Sequence, residues 1–319
     1  MSRTPADPCF FILGYGRSGT TLFRRMLSAH PGLFVAPEND VFQRVPPLMR
    51  SGISAEEDLR ELVASLPAYY ERIYDLQRFR AEAAARLPLT TPELIVLLQG
   101  TSLIGRDRPN AQWGHKSPSE WPYITTWRQW FPNARFLHLV RHPHDATASM
   151  VQYQLQRYRT TPLVAIWQWR KAFRSIRRHG AQLGPHRYQL LRYEDLVSDP
   201  ASILSAACRL LGVSTDFVAD MVDFTSHPSA THIDEGVHMA KSETPLAQDR
   251  VGRSTNDYSP RQAAMLDHVC RNELRELGYQ PRSGRPASQG QRIGYDAACA
   301  SLDVAWAGLR ATRRARGQL

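Results

Sequence analysis

Eight residues near the start of the chain, Gly14-Tyr15-Gly16-Arg17-Ser18-Gly19-Thr20-Thr21, have the types and spacing to hold a phosphate. They nearly match G-x-x-x-x-G-K-[ST], a turn whose backbone N–H groups cradle nucleotide phosphates. Gly14 and Gly19 fill the glycine slots and Thr21 the hydroxyl slot, but Thr20 stands where the lysine belongs. That lysine is the group that reaches the β- and γ-phosphates of a triphosphate. A cradle without it suits a ligand with a 5′-phosphate and no triphosphate tail. Gly14, Gly16 and Gly19 let N–H groups turn inward on an anion. A helix starting near Thr20 aims its free N–H groups at the same point. Arg17 adds a full charge and a planar fork of donors.

Such a loop needs a strand to deliver it and a helix to receive it. Residues 9–14 read as a buried parallel strand and 20–30 as its helix, ended by His30-Pro31-Gly32. Leu33-Phe34-Val35 is a second strand, followed by the loop Ala36-Pro37-Glu38-Asn39. Helical spacing recurs at 55–65, 68–87 and 92–99, broken by prolines, which makes this block a helical insertion. Trp113-Gly114-His115-Lys116-Ser117-Pro118 reads as a polar turn before a helix at 121–131. Ala134–Val140 is a strand closed by Arg141-His142-Pro143, with Asp145 as N-cap of the next helix. A helix at 163–179 and a strand at 188–191 lead into Arg192-Tyr193-Glu194-Asp195-Leu196. Helices at 201–211, 215–223 and 260–277 follow, the last two separated by a polar stretch, 225–259, of a length typical of functional lids. Residues 282–294 read as a linker and 295–315 as an amphipathic helix ending in arginines.

This alternation predicts a P-loop-like three-layer α/β fold, a central parallel sheet between helices, with a helical insertion and a C-terminal helical extension. Ligands of such sheets bind at the carboxyl ends of the strands. Gly14–Thr21, Glu38, Arg141 and Tyr193 all fall there.

Composition narrows the partners. Of 319 residues, 42% are hydrophobic and 22% charged, enough for a sizeable core. The net charge is +10, from 40 basic and 30 acidic residues, which fits an anionic ligand and does not compel nucleic acid. Half of that excess, +5, lies beyond residue 281, where seven arginines face two aspartates. The three lysines are Lys116, Lys171 and Lys241, so a lysine inside a motif stands out. Cys9, Cys208, Cys270 and Cys299 have neither zinc-ligand nor redox spacing and read as reduced, buried thiols. Met1–Pro8 lacks a basic start before an apolar run, and no stretch would span a bilayer, so the expected location is the cytoplasm.

Taken together, the motifs resemble the sulfotransferase family, whose donor is 3′-phosphoadenosine 5′-phosphosulfate. Arg17-Ser18-Gly19-Thr20-Thr21-Leu22 with Met26-Leu27 and Ala29-His30-Pro31 is similar to the family's 5′-phosphosulfate loop, above all in the tyrosylprotein and bacterial branch. Arg141-x-Pro143-x-Asp145-x-x-x-Ser149 resembles its 3′-phosphate motif. Tyr193 resembles the tyrosine that lines the adenine site, and Arg253-Ser254-Thr255 the late loop that closes on the nucleotide. The likeness covers about residues 9–281. It implies one sulfotransferase domain over 1–281, with an acceptor-side insertion at about 54–108, and a linker and basic helix over 282–319.

The resemblance also implies roles. Gly16, Arg17, Ser18, Gly19, Thr20 and Thr21 would take the 5′ end of the donor. Arg141 and Ser149 would take the 3′-phosphate, Tyr193 the adenine, and Arg250, Arg253 and Ser254 would close the late loop. Glu38 would be the general base, with His115 as runner-up, while Lys116 and Arg17 would stabilise charge on the transferring sulfuryl group. No metal is implied. The chain departs from the tyrosylprotein pattern in three places. Ala247 aligns with a late-loop serine, whose part falls to Ser242, Ser254 or nothing. Tyr153 aligns with a second arginine. The cysteines that flank the catalytic pair of the secretory enzymes are absent, with Ala36 and His115 near their places. Rival readings are a P-loop kinase or ATPase and a non-catalytic module that binds an acidic partner through its arginine tail. A sugar, phenol, lipid, peptide tyrosine or secondary-metabolite hydroxyl all fit as acceptor.

Overall fold

Five short runs of mostly buried residues form the middle of the computed structural model, which describes residues 9–43, 52–105, 107–108, 110–155, 160–226 and 251–315. They are β1 (Phe10–Leu13), β2 (Leu33–Val35), β3 (Gln112–Lys116), β4 (Arg135–Val140) and β5 (Tyr188–Arg192). All pair in parallel, in the order β2-β3-β1-β4-β5. A parallel sheet covered on both faces has strands that are apolar along their whole length, and Phe10-Phe11-Ile12-Leu13 is one. Phe11 and Leu13 join a core with Phe34, Trp127 and Phe136 on one face. Phe10 and Ile12 join Leu22, Met26, Leu137 and Leu196 on the other.

The segment from Trp113 to Pro118 is not the polar turn its composition predicts: residues 112–116 are a strand, with β2 on one side and β1 on the other. Gly114 gives its neighbours room, since a Cβ there would lie 2.5 Å from Phe10 Cε2 and 2.8 Å from Val35 Cγ2. His115 and Lys116 are each 1% exposed, and each has a carboxylate partner, the condition for burying such groups.

Other boundaries also move. Residues 68–87 divide into a 3₁₀ turn, Ala68–Arg72, and a helix, Leu76–Ala84. Residues 260–277 divide into Pro260–Val269 and Arg271–Leu277. The helix expected to be capped by Asp145 starts at Pro143, which leaves that carboxylate inside the first turn and available for other partners. The last helix runs Gln289–Ala315. It begins inside the expected linker because Ser288 and Gln291 cap each other, Gln291 N donating to Ser288 Oγ (3.4 Å) and Ser288 N to Gln291 Oε1 (2.8 Å).

That last helix is docked. Tyr295, Cys299, Leu302 and Trp306 join the core around Trp167, Trp169 and Phe173. Trp306 stacks on Trp121 with ring centres 6.0 Å apart, and Asp303 accepts from Trp167 Nε1 at 3.0 Å and pairs with Lys171 at 2.7 Å. All four cysteines are buried and free. No helix among the described residues is long and apolar enough to cross a membrane.

Candidate active site

Because every strand is parallel, the carboxyl ends of all five lie along one edge of the sheet. From β1 the chain turns through Gly14–Gly19 into the helix Thr20–Ala29. Ser18 N donates to Tyr15 O (3.2 Å) and Phe23 N to Gly19 O (3.0 Å), which closes the turn. Arg17 has φ +70°, the left-handed region that a side chain enters only when its surroundings hold it there. Two residues of the helix Pro143–Leu155 help to hold it. Arg17 Nε donates to Ser149 Oγ (3.1 Å), and its guanidinium lies 5.3 Å from the centre of the Tyr153 ring. The position aligned with a second arginine therefore carries the aromatic face that seats the first one.

Gly19, at φ +90°, faces Tyr193 at the end of β5; a Cβ there would come within 2.6 Å of Tyr193 Cε2. Arg141 also lies over the Tyr193 ring, its guanidinium 4.7 Å from the ring centre. Arg141 also donates to the carbonyl of Arg17 (3.3 Å). The two anion motifs thus touch: Arg17 reaches Ser149, and Arg141 reaches back to the loop. Ser18 is fully buried, and its hydroxyl oxygen has no hydrogen-bond partner among the described residues, an arrangement that buried hydroxyls rarely keep unless a ligand completes it.

At the next strand ends, Lys116 Nζ donates to Glu38 Oε2 at 2.7 Å and to Thr21 Oγ1 at 3.2 Å. The lysine side chain is wholly buried, whereas Glu38 is 39% exposed. A residue of β3, one of the loop after β2 and one of the first helix are thereby gathered at one point. His115, next along β3, donates no such contact. It pairs with Glu120 at 2.6 Å beneath Phe42 and Trp127, and both members are at most 1% exposed. Burial pushes the Glu120 carboxyl above its usual range, with His115 opposing.

The late loop lies against the second anion motif. Residues Arg253–Asn256 form a 3₁₀ turn, with Arg253 exposed and Ser254 buried. Ser254 Oγ donates to Asp145 Oδ1 at 2.6 Å, so this hydroxyl is occupied by a carboxylate of the protein. Arg250, together with Ser242 and Ala247, lies outside the described residues. Sequence reasoning missed Arg282, whose guanidinium grips Asp145 from the presumed linker at 2.8 and 3.2 Å. No periodicity or motif marks it, since its partner is 137 residues away.

Among known proteins, a family model described as the sulfotransferase family matches residues 8–216. The chain is 25% identical over 300 residues to a chicken protein-tyrosine sulfotransferase 2, covering 91% of this chain and 70% of that one. It is 26% identical to a protein-tyrosine sulfotransferase of Drosophila melanogaster, covering 78% of this chain and 45% of the fly protein. The sulfotransferase domain of the olefin synthase of Synechococcus PCC 7002 superposes with a TM-score of 0.65 at 23% identity, over 88% of this chain and 98% of that domain. A mouse sulfotransferase complexed with PAP superposes with a TM-score of 0.50 at 14% identity, over 87% and 88%. At these identities the solved structures speak for the fold.

Proposed function

The chain belongs to the sulfotransferase family, and from that premise we propose that it transfers a sulfuryl group from 3′-phosphoadenosine 5′-phosphosulfate to an acceptor hydroxyl. The observation that carries this reading is the buried Lys116 ammonium, joined to the half-exposed Glu38 carboxylate and to Thr21 at the start of the loop helix.

The residues fit the donor. The N–H groups of the glycine loop and the Ser18 hydroxyl, which has no partner among the described residues, would receive its 5′ end, with Thr20 and Thr21 at the helix start. Arg17, held by Ser149 at the edge of the loop, would add its charge to the 5′ end and the transferring sulfuryl group; Arg141 and Ser149 supply a charge and a hydroxyl for a second anion, and the late loop with Arg253 is tied to the same helix. Tyr193, packed on Gly19 with Arg141 over its ring, would line the adenine side. The donor contributes the activated sulfur. Glu38 takes the proton of the acceptor hydroxyl as its oxygen attacks in line. Lys116 neutralises the charge that grows on the departing phosphate oxygen, which leaves with the 3′,5′-bisphosphate. The insertion at about 54–108 would shape the acceptor side, within a domain spanning 1–281.

Lys116 also separates this reading from a P-loop kinase or ATPase. In those enzymes a lysine within the loop reaches the β- and γ-phosphates, whereas here Thr20 fills that slot and the lysine comes from β3, joined to Glu38 and Thr21. Calorimetry with 3′,5′-bisphosphoadenosine and adenosine 5′-monophosphate is the test. A 3′-phosphate gripped by charged donors should tighten binding by about tenfold or more. Equal affinities would sink the donor assignment. In turnover with labelled donor, Glu38→Gln should stop transfer and leave bisphosphate binding intact.

A further inference from the structure

Between Arg141 and Ser149, three side chains point away from the anion motif and are held by one distant stretch of chain. His142 Nε2 donates to Gln280 O (3.1 Å), and its backbone N donates to Glu194 (2.9 Å), which also accepts from Tyr279 Oη. His144 Nε2 donates to Asp267 (2.8 Å), which accepts the backbone N–H groups of Arg282 (3.0 Å) and Ser283 (2.8 Å). Asp145 accepts from both terminal guanidinium nitrogens of Arg282.

Asp145 is also the hub of the late loop. It accepts from Gly252 N (3.0 Å), Ser254 N (3.1 Å) and Ser254 Oγ (2.6 Å), and Arg282 donates to that same hydroxyl at 3.2 Å. The exposed Arg253 is therefore presented from a turn whose backbone is tied on both sides. The Asp145 side chain is 1% exposed. Burial alone would raise its carboxyl, but the bonds from Arg282 and Ser254 and the charge of Arg282 outweigh burial and hold it well below the usual carboxylate range. Two further bonds fasten the late loop to the same helix, Thr147 Oγ1 with Tyr258 Oη (2.9 Å) and Gln152 Nε2 to Asp257 (3.4 Å).

We propose that Arg282 is a positioning residue for 3′-phosphate recognition: by seating Asp145 it locks the Gly252–Ser254 turn onto the helix that carries Ser149, and so fixes the geometry in which Arg141, Ser149 and Arg253 converge. The inference rests on the donor reading above and adds to it a residue from the segment after Pro281. A lysine in its place keeps the charge and loses the planar two-pronged grip.

The test compares wild type, Arg282→Lys and Arg282→Gln by calorimetry with 3′,5′-bisphosphoadenosine and adenosine 5′-monophosphate, with thermal melting alongside. Arg282→Gln should lower the bisphosphate-to-monophosphate affinity ratio by about tenfold, entirely through the bisphosphate. Arg282→Lys should fall between the two, and it reports on the proposal should the glutamine variant fail to fold. A folded variant that keeps the wild-type ratio, or that loses both ligands in proportion, overturns the positioning role. Equal affinity of the wild type for both nucleotides overturns the donor reading, and this proposal with it.

Discussion

Gly19→Ala is the most direct probe of how the loop and the nucleotide platform are joined. Two costs are superimposed. The first is conformational: Gly19 sits at φ +90°, and an L side chain in the left-handed region costs about 1–2 kcal/mol. The second is steric: the new Cβ would lie 2.6 Å from Tyr193 Cε2, about 1 Å inside van der Waals separation. Tyr193 is 3% exposed and backed by Arg141, so the ring has little room to retreat. Overpacking of this kind costs about 1–3 kcal/mol. The control is Gly278→Ala, where φ is +67° and nothing lies within 4 Å of the added carbon, so only the conformational cost applies. Urea unfolding of both variants should give Gly19→Ala a further loss of about 1–3 kcal/mol. Bisphosphate affinity should fall for Gly19→Ala alone, since a displaced Tyr193 takes Arg141 with it. Equal destabilisation of the two variants would refute the claim that the loop and the ring are packed together.

Lys116→Met keeps the bulk of the side chain and removes its charge; turnover should fall by about 10²–10³ with bisphosphate affinity little changed, as single-turnover kinetics would show. Burial holds His138 and His142 neutral, both lowered to about 3, the second with help from Arg282. Between their folded values and the ordinary histidine value the unfolded chain binds more protons, so stability should decline as pH falls from about 6.5, by about 1.4 kcal/mol per pH unit for each histidine. Unfolding titrations of His138→Gln should show a slope shallower than wild type by about that one-histidine amount. Trp306→Ala strips Trp121 and Trp167 of a ring partner and should cost about 1–3 kcal/mol of stability by thermal melting.

The parts of the fold that could be read from the sequence were those in which local chemistry is self-sufficient. The apolar runs of β1 and β4, the glycine turn and the proline-bounded helices carry their own signals, and together they give the parallel three-layer architecture. β3 was hidden because its character is relational. Gly114 is there for the rings and methyls beside it, and His115 and Lys116 are tolerated in a strand only because Glu120 and Glu38 meet them. The segment 282–294 has the composition of a linker, yet its first two residues satisfy Asp145 and Asp267. In the same way, Asp145 had the right type for a helix cap and was spent on the late loop. Deleting 282–319 is consequently no neutral removal of a tail, because it would leave a buried carboxylate without its arginine.

The strand order has a consequence for how the chain is made. β1 is made before both strands that flank it, β3 and β4, which begin about a hundred residues later or more. Until then Phe10-Phe11-Ile12-Leu13 presents two bare hydrogen-bonding edges and no charge, the profile of a segment that self-associates. Slower translation or lower temperature during production, or a chaperone that shields this strand until its neighbours are made, should therefore raise the yield of folded enzyme.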